Sequence, residues 1–288
     1  MDIFAQLLAN SVIAGALYTL ITLGFNLIYG ATKLINMAHG AVAASGGYIV
    51  FFLTQTWGWG MIPAVFAGVL GAGVLGAVLD WLIFAPLRRR KARPPVVFTA
   101  SLGAFTVLQA FLAILFGAQF LALLPAEAAD TVSVGGALIT SVQLATMGLA
   151  ALASVGFFLF LRFTTFGKVV RAISDDEEVA KMLGVNTDRI VRIVFFIGSA
   201  VAGLAGIMIG LDTGIQPTMG LFIIVEGVIP SIVGGIGNMA GGVIGALLLG
   251  FAENFGIWFI PSQWKGAIAF GLLTLFLIFR PQGIMGRK

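Results

Sequence analysis

The sequence predicts an all-α, polytopic transmembrane helical bundle of about eight or nine membrane segments, on three observations. Of 288 residues, 59% are hydrophobic and only 10% are charged, against about 25% charged in a soluble domain. Too little polar side chain is present to face water all round. The apolar residues fall in long runs rather than in alternation, which selects helices over a membrane β-barrel. The 39 glycines suit a bundle in lipid, where small residues let backbones approach closely. Cysteine is absent, which excludes disulfides and thiolate metal sites. The net charge of +4 is no nucleic-acid signature, because the basic residues sit beside apolar spans.

The first apolar run, residues 7–29, is long enough to cross a bilayer at ~1.5 Å per residue. No basic residue precedes Lys33, so the charged start of a cleavable signal peptide is missing and the run reads as a permanent span. Further runs cover residues 34–53, 61–84, 96–116, 139–161 and 193–211. A complex region at 221–260 follows, then 266–279. Its middle, GGIGNMAGG at 234–242, is a poor helix interior by propensity. It therefore reads as a short segment, a break and a full helix, or as a re-entrant loop. The break itself has two readings, a lining of the substrate path or a tight turn between spans. No soluble domain or repeat is visible, so residues 1–288 read as one membrane domain.

The breaks carry the charge. Arg88, Arg89, Arg90, Lys91 and Arg93 form one cluster, Arg162, Lys168, Arg171, Lys181, Arg189 and Arg192 flank a second, and Arg280, Arg287 and Lys288 close the chain. Connections rich in Lys and Arg face the cytoplasm. The N-terminus with Asp2, and residues 119–138 with Glu127 and Asp130, then lie outside, and the C-terminus is cytoplasmic. Counting crossings from outside puts all three basic regions inside only if 221–260 crosses an even number of times. Spacings of small residues at Ala202, Gly206, Gly210 and at Gly242, Ala246, Gly250 mark tight helix contacts.

The most informative polar stretch runs from Lys168 to Gly184. Ser174 with Glu177 fits a capping box, the acids Asp175, Asp176, Glu177 and Glu178 favour a helix start, and Lys181 and Gly184 suit its end. Val179, Met182 and Leu183 share one face with helical spacing around Ala180. This small apolar face needs a partner, either the chain's own bundle or another subunit.

Polar residues within apolar runs are site candidates by default. Asn26, Asn36 and the lone His39 either contact substrate or hold helices together; with no second His, His39 is no metal site. Glu226, just ahead of Gly235, Gly237 and Asn238, either lines a path, meets an ammonium group, sits at the interface, or pairs with Lys265. Asp80 reads as an interfacial charge, Asp212 and Glu253 as interfacial or gate-edge residues, and Trp57, Trp59, Trp258 and Trp264 as outer-boundary anchors.

The stretch EVAKMLG at 178–184 resembles the EAA-x3-G loop of ABC-importer membrane subunits, with Val in place of the first Ala. GALYTL at 15–20, GFNLIYG at 24–30 and LINMAHG at 34–40 resemble the LivH-type permease subunit of branched-chain amino acid importers. So do IVGGIGNMAGG at 232–242 and RPQGIMG at 280–286. The likeness covers nearly the whole chain in order. It implies a permease subunit of an ATP-driven importer in a bacterial inner membrane, with residues 174–184 docking on an ATPase. It also implies a LivM-like permease partner, two cytoplasmic ATPase subunits and a periplasmic solute-binding protein. The chain itself is then no enzyme and needs no cofactor, ATP being used by its partners; no G-x-x-x-x-G-K-[ST] loop is present. A stand-alone channel or secondary carrier is the alternative. An intramembrane enzyme is disfavoured, since no paired acids on one face and no HExxH occur.

Overall fold

The computed structural model describes residues 3–124 and 130–286. Asp2, Glu127, Arg287 and Lys288, used in the charge argument, lie outside the described residues. The architecture is a helical bundle. Its elements are α1 (Ile3–Thr32), α2 (Ala38–Trp57) and α3 (Met61–Leu79), which runs through a π-helical turn (Asp80–Phe84) into α4 (Ala85–Arg89). Then come α5 (Pro94–Phe116), a hairpin of β1 (Thr131–Val134) and β2 (Ala137–Thr140), α6 (Ser141–Phe163), α7 (Thr165–Asp175) and α8 (Glu177–Met182). The chain ends with α9 (Thr187–Thr213), α10 (Met219–Gly234), α11 (Met239–Gly256) and α12 (Lys265–Phe279). One short hairpin interrupts the otherwise all-α bundle. Gly135 and Gly136 both take positive φ at its tip, as a two-residue primed turn requires.

Seven helical segments among the described residues are long and apolar enough to cross a membrane. The 20-residue α2 and the 16-residue α10 bring the apolar helices to nine, within the predicted range. The ambiguous region at 221–260 resolves into α10, a four-residue break and α11 packed against α10. α10 starts beside Gln216 and ends beside Asn26 and the C-terminal tail, so it runs the length of the bundle instead of returning to its starting end.

Polarity places the helices. α1 is 83% buried over its most apolar window, while α6 and α12 are only 11% and 6% buried. α1 is thus the central mast, packed on α9, α10 and α11, and the latter pair of helices presents leucine, phenylalanine and valine outward. Small residues set the inner contacts, as the spacing predicts. A Cβ on Gly206 would stand 2.0 Å from the Ala43 carbonyl oxygen of α2, and one on Gly250 2.5 Å from that of Ser11 on α1.

Two polar expectations fail here. Asp80 is no interfacial charge; it is fully buried and bound to Arg88 at 2.6 Å. The π turn explains this, because its wider i→i+5 winding, closed by the Ala85 N–H on the Asp80 carbonyl, shifts the helix phase and turns Asp80 inward. Nor does Ser174 cap a helix. It lies within the last turn of α7 and accepts from Lys33 Nζ at 3.2 Å.

Candidate functional site

The two ends of the bundle differ chemically. Lys33, the Arg88–Arg93 cluster, the α7–α8 loop and the C-terminal tail gather at one end, called here the basic end. The α2 and α11 C-termini, with exposed Trp57, Trp59 and Trp258, and Trp264 ahead of α12, lie at the other.

At the basic end, Asp176 caps α8, its Oδ1 accepting the N–H of Glu178 at 2.8 Å and of Val179 at 3.0 Å. Asp wins over the predicted Ser174 because its carboxylate stands directly ahead of the first turn, where the helix charge favours an anion. Asp175 accordingly ends α7 and does not open α8. Glu177 pairs with Lys181 at 2.7 Å and accepts from Thr187, and Glu178 meets Lys91 at 3.0 Å. The helix stops as expected at Gly184, with φ of 83°. The Val185 N–H returns to the Ala180 carbonyl and the Gly184 N–H to that of Lys181, a complete Schellman end. Ala180 is buried, while Val179, Met182 and Leu183 are 50%, 84% and 78% exposed. The apolar face therefore finds no partner within the described bundle.

Two cavities lie along α1. The one nearer the basic end, about 640 Å³, is lined by Asn26, Tyr29, Lys33, Gly237, Asn238 and Gln282 among others. Asn26 bolts the glycine break to α1. Its Oδ1 accepts from Ser231 Oγ at 2.5 Å and the Gly237 N–H at 2.9 Å, and its Nδ2 donates to the Asn238 carbonyl at 3.0 Å. Asn238 also caps α11 through the Gly241 N–H. Gly235 and Gly237 turn the chain with φ of 109° and 82°. Gly235 lies against Gly286, where Ile284 and Met285 donate to the carbonyls of Val233 and Gly234. The break is a tight turn, and Gly237 and Asn238 line a cavity as well.

At the opposite end a cavity of about 600 Å³ is lined by Tyr18, Gln143, Asp212, Glu226 and Lys265, with Phe120 packed on the Gly214 backbone beside it. Lys265 pairs with Glu253 at 3.3 Å, not with Glu226 as one reading had it. Tyr18 donates to the same Glu253 at 2.5 Å. Glu253 is buried, so it is no exposed interfacial charge. Asp212 accepts from Gln143 at 3.1 Å.

Between the cavities the bundle is closed. Thr22 Oγ1 donates to the Gly227 carbonyl at 3.2 Å, and Ile21 lies so close that a Cβ on Gly227 would come 2.4 Å from it. Asn36 and His39 line neither cavity. Both are buried where α2 begins, and His39 packs beside Gly24 and the Phe25 ring.

Sequence reading missed Tyr18, Gln143 and Ser231. Tyr18 carried a signal, since a phenol hydroxyl in an apolar span requires a partner. Gln143, three residues after Thr140, carried another as the second half of a capping box.

Comparison with known proteins agrees with this architecture. The profile described as branched-chain amino acid transport system / permease component matches residues 7–277. The high-affinity branched-chain amino acid transport system permease protein LivH of Escherichia coli (strain K12) is 32% identical, over 99% of this chain and 96% of its own length. BraD of Pseudomonas aeruginosa, a permease protein of the same kind of system, is 31% identical over the same shares. The fructose import permease FrcC of Rhizobium meliloti is 26% identical over 99% of this chain and 78% of its own. No solved structure matches. The chain is a multi-pass membrane protein that belongs to the branched-chain amino acid transport permease family.

Proposed function

We propose that this chain is the membrane-spanning permease subunit of an ATP-driven ABC importer, carrying branched-chain amino acids or a related small polar solute into a bacterial cell. The basic end faces the cytoplasm under the positive-inside rule, so the N-terminus lies outside and the C-terminus inside. A periplasmic binding protein delivers solute to the tryptophan-rich end. A second, related permease subunit completes the pathway, and two ATPase subunits in the cytoplasm supply the energy. Residues 1–288 act as one permease domain, without a cofactor.

The observation that carries the reading is the bare apolar face of α8. Three large apolar side chains stand in water at the cytoplasmic end, on a helix stopped and capped at both ends and tied to the bundle by Lys91 and Thr187. A rigid, exposed apolar knob is a docking element for another chain. The two stacked cavities support transport: Glu226 belongs to the outer one, Asn26, Gly237 and Asn238 to the inner, and the closed waist between them describes an occluded state. Asn36, His39 and Gly235 stand behind this path and hold its walls.

The test is reconstitution of this chain in liposomes with its partner permease, ATPases and binding protein. Uptake of L-leucine that requires ATP and every partner is expected. Leucine flux through this chain alone would overturn the reading in favour of a channel or carrier.

A further inference from the structure

Beyond α12 the chain doubles back on itself. The Gly283 N–H closes a turn on the Arg280 carbonyl, with Pro281 at its first corner. Ile284 and Met285 then lie along the end of α10, their N–H groups donating to the Val233 and Gly234 carbonyls, both at 2.9 Å. A helix end leaves such carbonyls without intrahelical partners, so a remote segment supplies part of the α10 cap. The contact is backbone on backbone. A Cβ on Gly235 would stand 2.6 Å from the Gly286 nitrogen, and one on Gly283 2.5 Å from that of Gly235. Asn238 joins the two, its Nδ2 donating to the Met285 carbonyl at 3.0 Å while its Oδ1 caps α11. The same segment walls the inner cavity through Pro281, Gln282, Met285 and Gly286.

The hold on this segment is light. α12, which carries it, is only 6% buried over its most apolar window and packs chiefly on α10 and α11. Lys265 ties the outer end of α12 to Glu253 at 3.3 Å. At the inner end Ile284 packs on the apolar cluster around Val233, and the remaining hold comes chiefly from hydrogen bonds. Bonds of that kind are largely offset by bonds to water on release.

We propose that residues 281–286 are a strap across the cytoplasmic mouth of the inner cavity, with Asn238 as its catch. The strap unhooks from α10 to open the path inward, and α12, pinned outside by Lys265, is the lever that carries it. Because backbone meets backbone, the strap leaves and returns without repacking large side chains. The inference rests on the permease reading and adds the moving part of its inner gate.

The experiment uses the assembled complex in inside-out vesicles. The natural chain has no cysteine, and Gly30→Cys places a thiol on the inner cavity wall, where a Cβ meets only the Gly237 carbonyl at 3.7 Å. A membrane-impermeant maleimide then reports access to this chain from the cytoplasmic side. Met285→Pro removes the donor to the Gly234 carbonyl. Asn238→Ser keeps a cap for α11 but withdraws the reach to Met285. Each should raise labelling without ATP roughly tenfold, whereas Met285→Leu, which keeps the N–H, should label as the parent does. Unchanged labelling with Met285→Pro overturns the strap, and with Asn238→Ser overturns its catch. Equal exposure of a Ser45→Cys reporter, buried in α2, also overturns the proposal, since it marks general loosening. These failures leave the permease reading standing if the wild-type complex still imports leucine with ATP. Leucine flux through the wild-type chain without ATP or partners overturns that reading instead.

Discussion

Arg88 reaches back across the π turn to hold Asp80, eight residues earlier, with its Nη1 2.6 Å from the buried Oδ1. The same guanidinium lies 3.9 Å from Asp188 at the start of α9, and Arg89 takes that acid at 3.0 Å. Three ion pairs among these four groups thus lock the α3–α4 corner to α9 beside α8. Removing one partner of a buried pair strands the other, at about 3–5 kcal/mol. Asp80→Asn and Arg88→Met should each lower the melting temperature sharply in detergent. The double variant should recover part of that loss, and additive effects would show that the two residues are not energetically coupled.

The α8 face is expected to transmit ATPase motion. Glu178→Lys reverses the contact with Lys91, and Gly184→Pro removes an N–H donated at the helix end and forces φ negative. Both variants should reach the membrane at normal level, lose most leucine uptake, and leave ATP hydrolysis running. Met182→Asp, which alters only the exposed face, should release the ATPases on purification. Normal uptake in all three would remove α8 from the coupling role.

Because the natural chain has no cysteine, single cysteines report topology without background. Cysteines at Arg90 and Lys181 should label only from the cytoplasm, and one at Gly136 only from outside. Labelling of Arg90 and Lys181 from opposite sides would break the proposed orientation.

The closed waist predicts a steric lock. Gly227→Val adds bulk where even one Cβ meets Ile21 at 2.4 Å. Uptake should fall while both cavities persist, and Ile21→Ala in the same chain should restore part of it. Thr22→Val removes the donor to the Gly227 carbonyl and should raise leak of solute without ATP.

The salt link between Lys91 and Glu178 is fully exposed, and its hydrogen bond raises the pKa of Lys91 above the ordinary lysine value. A raised folded pKa means that the link contributes below the unfolded value and is lost as pH climbs through the folded one. Coupling is therefore expected to be flat through neutral pH and to weaken only in strong alkali. It should also weaken in high salt, as exposed pairs do. A drop in coupled ATPase activity near pH 7 at constant salt would assign control to another group.

Much of this was legible in the chain. Hydropathy and the Lys/Arg breaks place about eight or nine membrane segments, and the GGIGNMAGG run marks its turn because glycine readily takes the φ values of Gly235 and Gly237. The partners of polar groups were not legible, because they depend on which helices meet. Asp80 sits near arginines in sequence and suggests an interface, yet a π turn rotates it inside. Lys265 has two acids within reach, Glu226 and Glu253, and only packing selects Glu253. The α8 cap was misread for a local reason: Ser174 and Glu177 have capping-box spacing, but α7 runs on through Asp175 and leaves Asp176 to lead α8.

α1 is made before α9, α10 and α11, on which it packs, and is the innermost helix in the finished bundle. Asn26 finds its mates Ser231, Gly237 and Asn238 only 205 to 212 residues later, which at typical synthesis rates is about 10–40 s. For that interval the Asn26 amide and the Thr22 hydroxyl have to wait in the bilayer or be sheltered by the insertion machinery. Ribosome-bound chains ending before α10 should accordingly hold α1 in a site that crosslinks to that machinery and not to lipid, and release should coincide with the emergence of residues 231–238.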